Sequence, residues 1–170
     1  MVLCIEIPPP TSVEVLPSSR RFPLPTQTGV DGPNGREQDG AMSTDDALLR
    51  QAMIQAQDST LVATFDIDGA IPGSGAYVVG LVGATPDYST QRRLCIEFMN
   101  GEAIAFYSFN REQGLEENYD LAGVTHSENR ITGQFPRTAI NGLGQGHVMS
   151  AFSEADGREF QSGVPVEENL

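Results

Sequence analysis

The sequence predicts an all-β fold: an antiparallel β-sandwich of about 8–10 short strands behind a disordered, proline-rich N-terminal tail. Runs that alternate between apolar and polar residues recur from residue 60 onward, as in half-buried strands. Tight-turn pairs such as Asn100–Gly101 separate these runs. Prolines are frequent in the first 35 residues, and we expect this segment to have too little apolar surface to order itself.

Length and composition indicate one ordinary domain with a tail, because the chain has 170 residues and only 39% are hydrophobic. We predict that residues 1–30 form a flexible tail of extended polyproline conformation. Residues 31–166 are the predicted sandwich, and residues 167–170 are an acidic C-terminal end.

Residues 47–57 fit either a helix or a strand. A capping-box pattern precedes them, and Leu49, Met53 and Ala56 share one helical face. As a strand, Leu48, Ala52, Ile54 and Ala56 would share a face instead, and residues 57–59 would turn the chain into the next strand.

The stretch from residue 60 to 82 is the predicted centre of the sheet and is expected to form a hairpin of two strands. Residues 60–67 alternate between apolar and polar, which indicates a strand with one dry face. Residues 77–82 are apolar on both faces, which is typical of a strand in the middle of a sheet.

The remaining strands are predicted from alternation and turn residues. Residues 93–99 and 103–109 flank the Asn-Gly turn, and residues 119–125 and 130–135 form a second hairpin. A loop over residues 137–146 leads to a strand at 145–153, and Asp156–Gly157 turns it into residues 158–162.

The segments LVATFDIDGAIPGSGAYVVGLVG and ITGQFPRTAINGLGQGHVMSAFSEADGREFQSGVPV, with the Asn-Gly hairpin between them, resemble extracytoplasmic actinobacterial β-sandwiches. Their layout is similar to that of DOMON-like and family-9 carbohydrate-binding-module-like domains. The resemblance covers about residues 31–166 and rests on turn and packing signals. Because that layout has a hairpin after residue 46, we predict a strand over residues 47–57.

The resemblance implies a non-catalytic domain that binds sugar, haem or another ligand, often with bound calcium. The chain has no Trp, so tyrosines would have to supply any aromatic sugar platform. The predicted ligand-binding residues are Tyr77, Tyr107, Tyr119 and His147. Haem would need a Met and a His, and the sequence does not single out a pair.

Acidic side chains offer candidate calcium ligands, because calcium prefers hard oxygen donors. Asp31, Asn34 and Asp39 lie in an acidic, turn-rich segment without the spacing of an EF-hand loop. Asp66 and Asp68 lie on one face of a strand, about 6–7 Å apart. These five residues are the predicted metal ligands, and a solvated loop and strand end are the alternative interpretation.

Charge narrows the possible partners. The formal net charge is −13 and no basic cluster occurs, which argues against nucleic acid and an anionic membrane surface. No apolar stretch is long enough to predict a transmembrane helix, and no signal peptide is recognised. By the resemblance we nevertheless expect an extracytoplasmic location, secreted or in the cell envelope.

We therefore predict a binding or interaction module with an unknown small-molecule or glycan ligand, and not an enzyme. One alternative is a hydrolase or enzyme-accessory domain that uses Asp66 and Asp68, since paired carboxylates serve glycoside hydrolysis. A purely structural domain is the other. A serine-hydrolase motif is absent from the sequence.

Overall fold

The computed structural model describes residues 47–170. Strands alternate with tight turns through this part of the chain, and two short 3₁₀ helices, Leu121–Gly123 and Arg137–Ile140, interrupt them. The strands are β1 Ala47–Gln57, β2 Thr60–Gly69, β3 Ala76–Ala84, β4 Gln91–Met99, β5 Glu102–Asn110, β6 Leu115–Asn118, β7 Val124–Ser127, β8 Arg130–Pro136, β9 Val148–Ala155 and β10 Arg158–Asn169. The predicted proline-rich tail lies outside the described residues. None of the helices described has the length and apolar character needed to cross a membrane.

All ten of these strands join in one sheet, in the order β6-β5-β4-β3-β9-β10-β1-β2-β8-β7. The all-β class is thus confirmed. The expectation of a wholly antiparallel arrangement is wrong at one place, because residues 52–55 of β1 pair in parallel with residues 166–169 of β10. Strand β10 pairs with β9 over its first part and with β1 over its last, so it links the two halves of the sheet.

The sheet curls until its two halves face each other across the core. The rings of Phe106 on β5 and Phe135 on β8 lie 4.4 Å apart between centroids. Phe98 on β4 meets His126 on β7 edge-on at 5.4 Å. Alternation along each strand therefore directs one set of side chains into a shared interior. Its largest members are Tyr77, Phe65, Phe98, Phe106, Phe135, Ile54, Leu61, Leu81, Leu94, Ile96 and Ile131.

Strand β1 confirms the strand prediction for residues 47–57 and the inward position of Ala52 and Ile54, but not that of Leu48. The pairing with β2 shifts between Leu49 and Gln51. This bulge inserts one residue, so Leu49 is buried before it, and Ala52 and Ile54 are buried after it. Leu48 consequently lies on the other face, only half buried.

The predicted hairpin between β2 and β3 is wrong. Strand β2 pairs with β1 and β8, whereas β3 pairs with β4 and β9. Residues 70–75 carry the chain from one half of the curled sheet to the other. Both runs are central strands, and apolar alternation reports burial without reporting which neighbours a strand has.

Turn residues located the short hairpins correctly. Asn100 and Gly101 have φ angles of 54° and 83°, as a two-residue turn of that type requires. Asp156 and Gly157, with φ angles of 49° and 75°, make the same turn between β9 and β10.

Two strand boundaries differ most from the prediction. Residues 119–123 are a connection with a 3₁₀ helix, so β7 begins only at Val124. Strand β10 continues to Asn169, and Glu167 and Glu168 pair with Met53 and Ile54 of β1. The residues expected to form a separate acidic end therefore belong to the sheet.

Candidate binding cleft at the seam of the sheet

The two edge strands β6 and β7 bound one side of the curled sheet, which we call the seam. Residues 119–123 connect these strands directly along the chain. The ring of Tyr119, the first residue of this connection, packs edge-on against the rings of Phe106 and Phe135, at 5.5 Å and 6.0 Å between centroids. Aromatic side chains from β5, β8 and the connection thus cover the core at the edge where strand pairing ends.

Close approach at the seam depends on Gly133 of β8. A Cβ atom there would lie 2.9 Å from Cδ1 of Ile96 and 3.0 Å from Cε2 of Phe106. Only glycine lets the two halves of the sheet come this near without displacing a core side chain.

A cleft of about 360 Å³ opens at the seam, between the β5–β6 hairpin and the second 3₁₀ helix. Most of its lining is polar and combines hydroxyl, amide, carboxylate and guanidinium groups. The polar lining includes Arg92, Ser108, Asn110, Glu117, Thr138 and Asn141. Leu115 and Ala139 add apolar surface.

A chain of three side chains runs along one wall of the cleft. Ser108 Oγ and Tyr119 Oη lie 2.7 Å apart, and the Tyr119 hydroxyl donates to Glu117 Oε2 at 3.3 Å. Ser108 is almost fully buried, at 7% exposure, because its position on β5 faces inward. The chain gives the buried hydroxyl a partner, as buried polar groups require.

Arg92 lines another wall of the cleft and is held there by a charged partner, Glu112. Arg92 Nη1 donates to Glu112 Oε2 at 2.7 Å, and the backbone N–H of Gln91 also donates to Glu112. The Gln91 hydrogen bond, together with the nearby Arg92 guanidinium, holds the pKa of Glu112 below its ordinary value. Burial raises the pKa of Tyr119, which keeps its hydroxyl protonated as a donor.

The three predicted binding tyrosines do not come together. Tyr77 is 0% exposed, and its hydroxyl donates to the carbonyl oxygen of Ala47 at 3.1 Å. Tyr77 therefore offers no face to a ligand, which corrects that prediction. Tyr107 is half buried on the outward face of β5, opposite Cys95 of β4. Tyr119, with its hydroxyl beside the cleft, is the one that the structure places at the seam.

His147 lies before β9 and does not line the seam cleft. Its Nδ1 is 2.7 Å from the carbonyl oxygen of Gly144, and its Nε2 is 3.0 Å from Glu168 Oε2 of β10. A smaller concavity of about 220 Å³ adjoins it. Its predicted role in ligand binding stays a prediction.

The predicted metal ligands divide into two groups. Asp31, Asn34 and Asp39 lie outside the described residues. Asp66 accepts two hydrogen bonds from Arg130, at 2.6 Å and 3.1 Å, and Asp68 pairs with Arg50. Each carboxylate thus has its own arginine partner. Between residues 47 and 170, no three His, Cys, Asp or Glu side chains cluster in a way that could hold a metal ion.

Sequence reasoning missed Arg92, Ser108 and Asn141 as cleft residues. A signal for Ser108 existed: in β5 the inward positions pass from Phe106 to Ser108 and Asn110. A change from apolar to polar on the inward face indicates that the interior opens there. Asn141 gave no such signal, because it lies in the loop after the second 3₁₀ helix.

No family model matches this chain, and no curated protein matches it significantly. The resemblance to DOMON-like and family-9 carbohydrate-binding-module-like domains therefore stays a prediction.

Proposed function

We propose that this domain is a non-catalytic binding module whose seam cleft takes a neutral, polyhydroxylated ligand, that is, a short segment of a glycan. The observation that carries this proposal is the hydrogen-bonded chain Ser108–Tyr119–Glu117, which runs along the wall of an open polar cleft. Ligand sites combine a concave surface with a few positioned polar groups, and this cleft has both.

The lining favours a neutral ligand over an anionic one. Arg92, the cleft's cation, already pairs with Glu112, and Glu116 and Glu117 add negative charge to the rim. The net charge of −13 repels anions further. Hydroxyl and amide groups donate and accept at once, as sugar hydroxyls do. The Leu115 side chain, 61% exposed, offers apolar surface for the C–H groups of a sugar ring.

We extend the proposal, on the resemblance alone, to the finer class and the location. The curled sheet would then be a variant of the extracytoplasmic β-sandwich, secreted or held in the cell envelope. Calcium, if it binds, would use the acidic segment around Asp31 and Asp39.

Isothermal titration with a panel of neutral oligosaccharides tests the proposal. We use cellohexaose, xylohexaose, mannohexaose and maltohexaose, and we expect saturable binding of at least one. Ser108→Ala and Tyr119→Phe should each weaken that binding about three- to tenfold, because each removes a member of the hydrogen-bonded chain. Tyr107→Phe is the matched control and should leave the affinity unchanged, since Tyr107 lies on the outward face.

Two results contradict the proposal. One is the absence of binding to every sugar of the panel. The other is an equal loss of affinity in Tyr107→Phe and Tyr119→Phe, which would place the ligand away from the seam cleft.

A further inference from the structure

A second concavity of about 410 Å³ lies on the other side of the β5–β6 turn, beneath the loop that joins β3 to β4. Its lining consists of Tyr88, Ser89, Gln91, Arg111 and Glu112. None of these five residues lines the seam cleft itself, although Glu112 forms an ion pair with Arg92, which does.

Tyr88 is unusual in this concavity because its side chain is exposed and its backbone φ angle is positive. Its side chain is 64% exposed, the largest value among the exposed apolar and aromatic side chains of the described residues. Its φ angle is 59°, which a bulky residue rarely adopts. Holding tyrosine in this conformation costs about 1–2 kcal/mol, so the surrounding loop must enforce it.

The neighbouring Asp87 enforces the conformation. Asp87 Oδ1 accepts the Thr85 hydroxyl at 2.7 Å, the Ser89 hydroxyl at 2.8 Å and the Ser89 backbone N–H at 3.1 Å. The Thr85 hydrogen bond, followed by those from Ser89, lowers the pKa of Asp87 to about 2. The carboxylate is therefore charged at neutral pH and fixes the loop so that Tyr88 is displayed, not packed.

The polar floor beside Tyr88 is also fixed. Arg111 Nη1 donates to the side-chain oxygen of Gln91 at 2.7 Å, and the Arg111 backbone N–H donates to the Gln91 carbonyl at 3.3 Å. An exposed ring next to held hydrogen-bonding groups is an arrangement that recognises a molecule with an apolar face and polar edges.

The two concavities share a wall. Glu112 lines the concavity beside Tyr88, Arg92 lines the seam cleft, and the two side chains are in direct contact at 2.7 Å. A ligand that lies across the Arg92–Glu112 pair would therefore contact the seam cleft and the concavity beside Tyr88 at the same time.

We propose that Tyr88 is the aromatic platform of a second subsite, and that the full ligand is a neutral oligosaccharide running from the seam cleft across the Arg92–Glu112 pair onto the Tyr88 ring. This proposal rests on the proposed function and deepens it. Pyranose rings with equatorial hydroxyls have flat C–H faces that stack on an aromatic ring, while their hydroxyls meet the polar floor. A single sugar unit cannot occupy both subsites, so affinity must increase with the length of the oligosaccharide.

The experiment compares chain lengths in the intact protein. Hexasaccharides of the four-sugar panel and the matching disaccharides are titrated into the wild type, Tyr88→Ala, Tyr88→Phe and Ile104→Ala. The wild type should bind its preferred hexasaccharide about tenfold more tightly than the disaccharide. Tyr88→Ala should remove most of this advantage and leave disaccharide affinity unchanged. Tyr88→Phe keeps the ring and should retain hexasaccharide binding. Ile104→Ala removes another exposed apolar side chain, 48% exposed and outside both concavities, and should change nothing.

The outcomes separate this inference from the proposed function. If Tyr88→Ala binds the hexasaccharide as the wild type does while Ser108→Ala still weakens it, the platform is wrong and the seam cleft stands. An equal loss of disaccharide and hexasaccharide affinity in Tyr88→Ala also contradicts a separate subsite. If the wild type binds no sugar of the panel, both proposals are wrong.

Discussion

Two sides of the curled sheet differ in what their polar side chains hydrogen-bond to. On the side formed by β1, β10 and β9, here called the closed side, the sheet is continuous, and buried polar groups bond to one another. The Gln161 side chain accepts from the Leu49 backbone N–H at 2.6 Å and donates to the Leu49 carbonyl at 3.1 Å. The Ser153 hydroxyl donates to the same Gln161 oxygen at 3.1 Å.

Irregular strand pairing explains why the closed side needs the Gln161 side chain. The pairing of β1 shifts between Leu49 and Gln51, and that of β10 shifts on both sides of Gln161. Such shifts leave backbone groups without a ladder partner. The Gln161 amide has the same donor and acceptor as a peptide group and supplies the missing pair.

The seam has polar side chains too, but three of them, Ser108, Tyr119 and Glu117, hydrogen-bond to no backbone group. Ser108, Tyr119 and Glu117 bond among themselves and stand at an open cleft. Polar groups that complete the sheet are already satisfied, whereas those at the seam are positioned and can still take further hydrogen bonds. This difference is why we place the function at the seam and assign Gln161 a structural role.

The largest expected effect is on the closed side. Gln161→Ala leaves the amide and carbonyl of Leu49 without partners and removes the hydrogen bond that the Ser153 hydroxyl donates. The free energy of unfolding should fall by about 2–4 kcal/mol. Chemical denaturation measures this, with Gln145→Ala at an exposed loop position as the control, expected within about 0.5 kcal/mol of the wild type.

The matching substitution at the seam should cost less. Ser108→Ala removes one hydroxyl whose partner, Tyr119, keeps its hydrogen bond to Glu117. We expect a loss of about 1 kcal/mol or less in the same denaturation experiment. A loss as large as that of Gln161→Ala would abolish the distinction between the two sides and make Ser108 a structural residue.

The smallest expected effect has the opposite sign. Tyr88→Gly should raise the free energy of unfolding by about 0.5 kcal/mol, because glycine adopts a φ of 59° without steric strain and its greater freedom in the unfolded chain offsets part of that gain. Tyr88→Ala keeps the strain and serves as the control. If Tyr88→Gly is clearly less stable than Tyr88→Ala, the ring contributes to packing and is not simply displayed.

The sequence predicted the all-β class and the short hairpins because those signals are local. Asn100–Gly101 can be recognised from two residues, and the alternation from residue 60 to 67 reports its own buried face. The partner of each strand is not local. Nothing in β2 or β3 records that residues 70–75 cross between halves of the sheet, or that β10 lies parallel to β1.

The candidate site was harder to predict for the same reason. Tyr77 and Tyr119 look alike in the sequence, yet one is sealed inside the core and the other stands at the seam. Tyr88 could have been noticed, since Pro-Asp-Tyr-Ser between two strands is a turn signal. Its exposure and positive φ, however, depend on the Asp87 hydrogen bonds, which the sequence does not display.

Mapping of ligand contacts by amide chemical shifts tests the central claim most directly. The oligosaccharide that binds most tightly in the panel is titrated into ¹⁵N-labelled protein. The account predicts that the largest shifts fall on the seam residues 108–117 and 138–141 and on the loop around Tyr88, while the amides near Gln161 and Ile104 stay in place. Shifts concentrated on the closed side or on the outward face around Tyr107, with the seam unchanged, would contradict it.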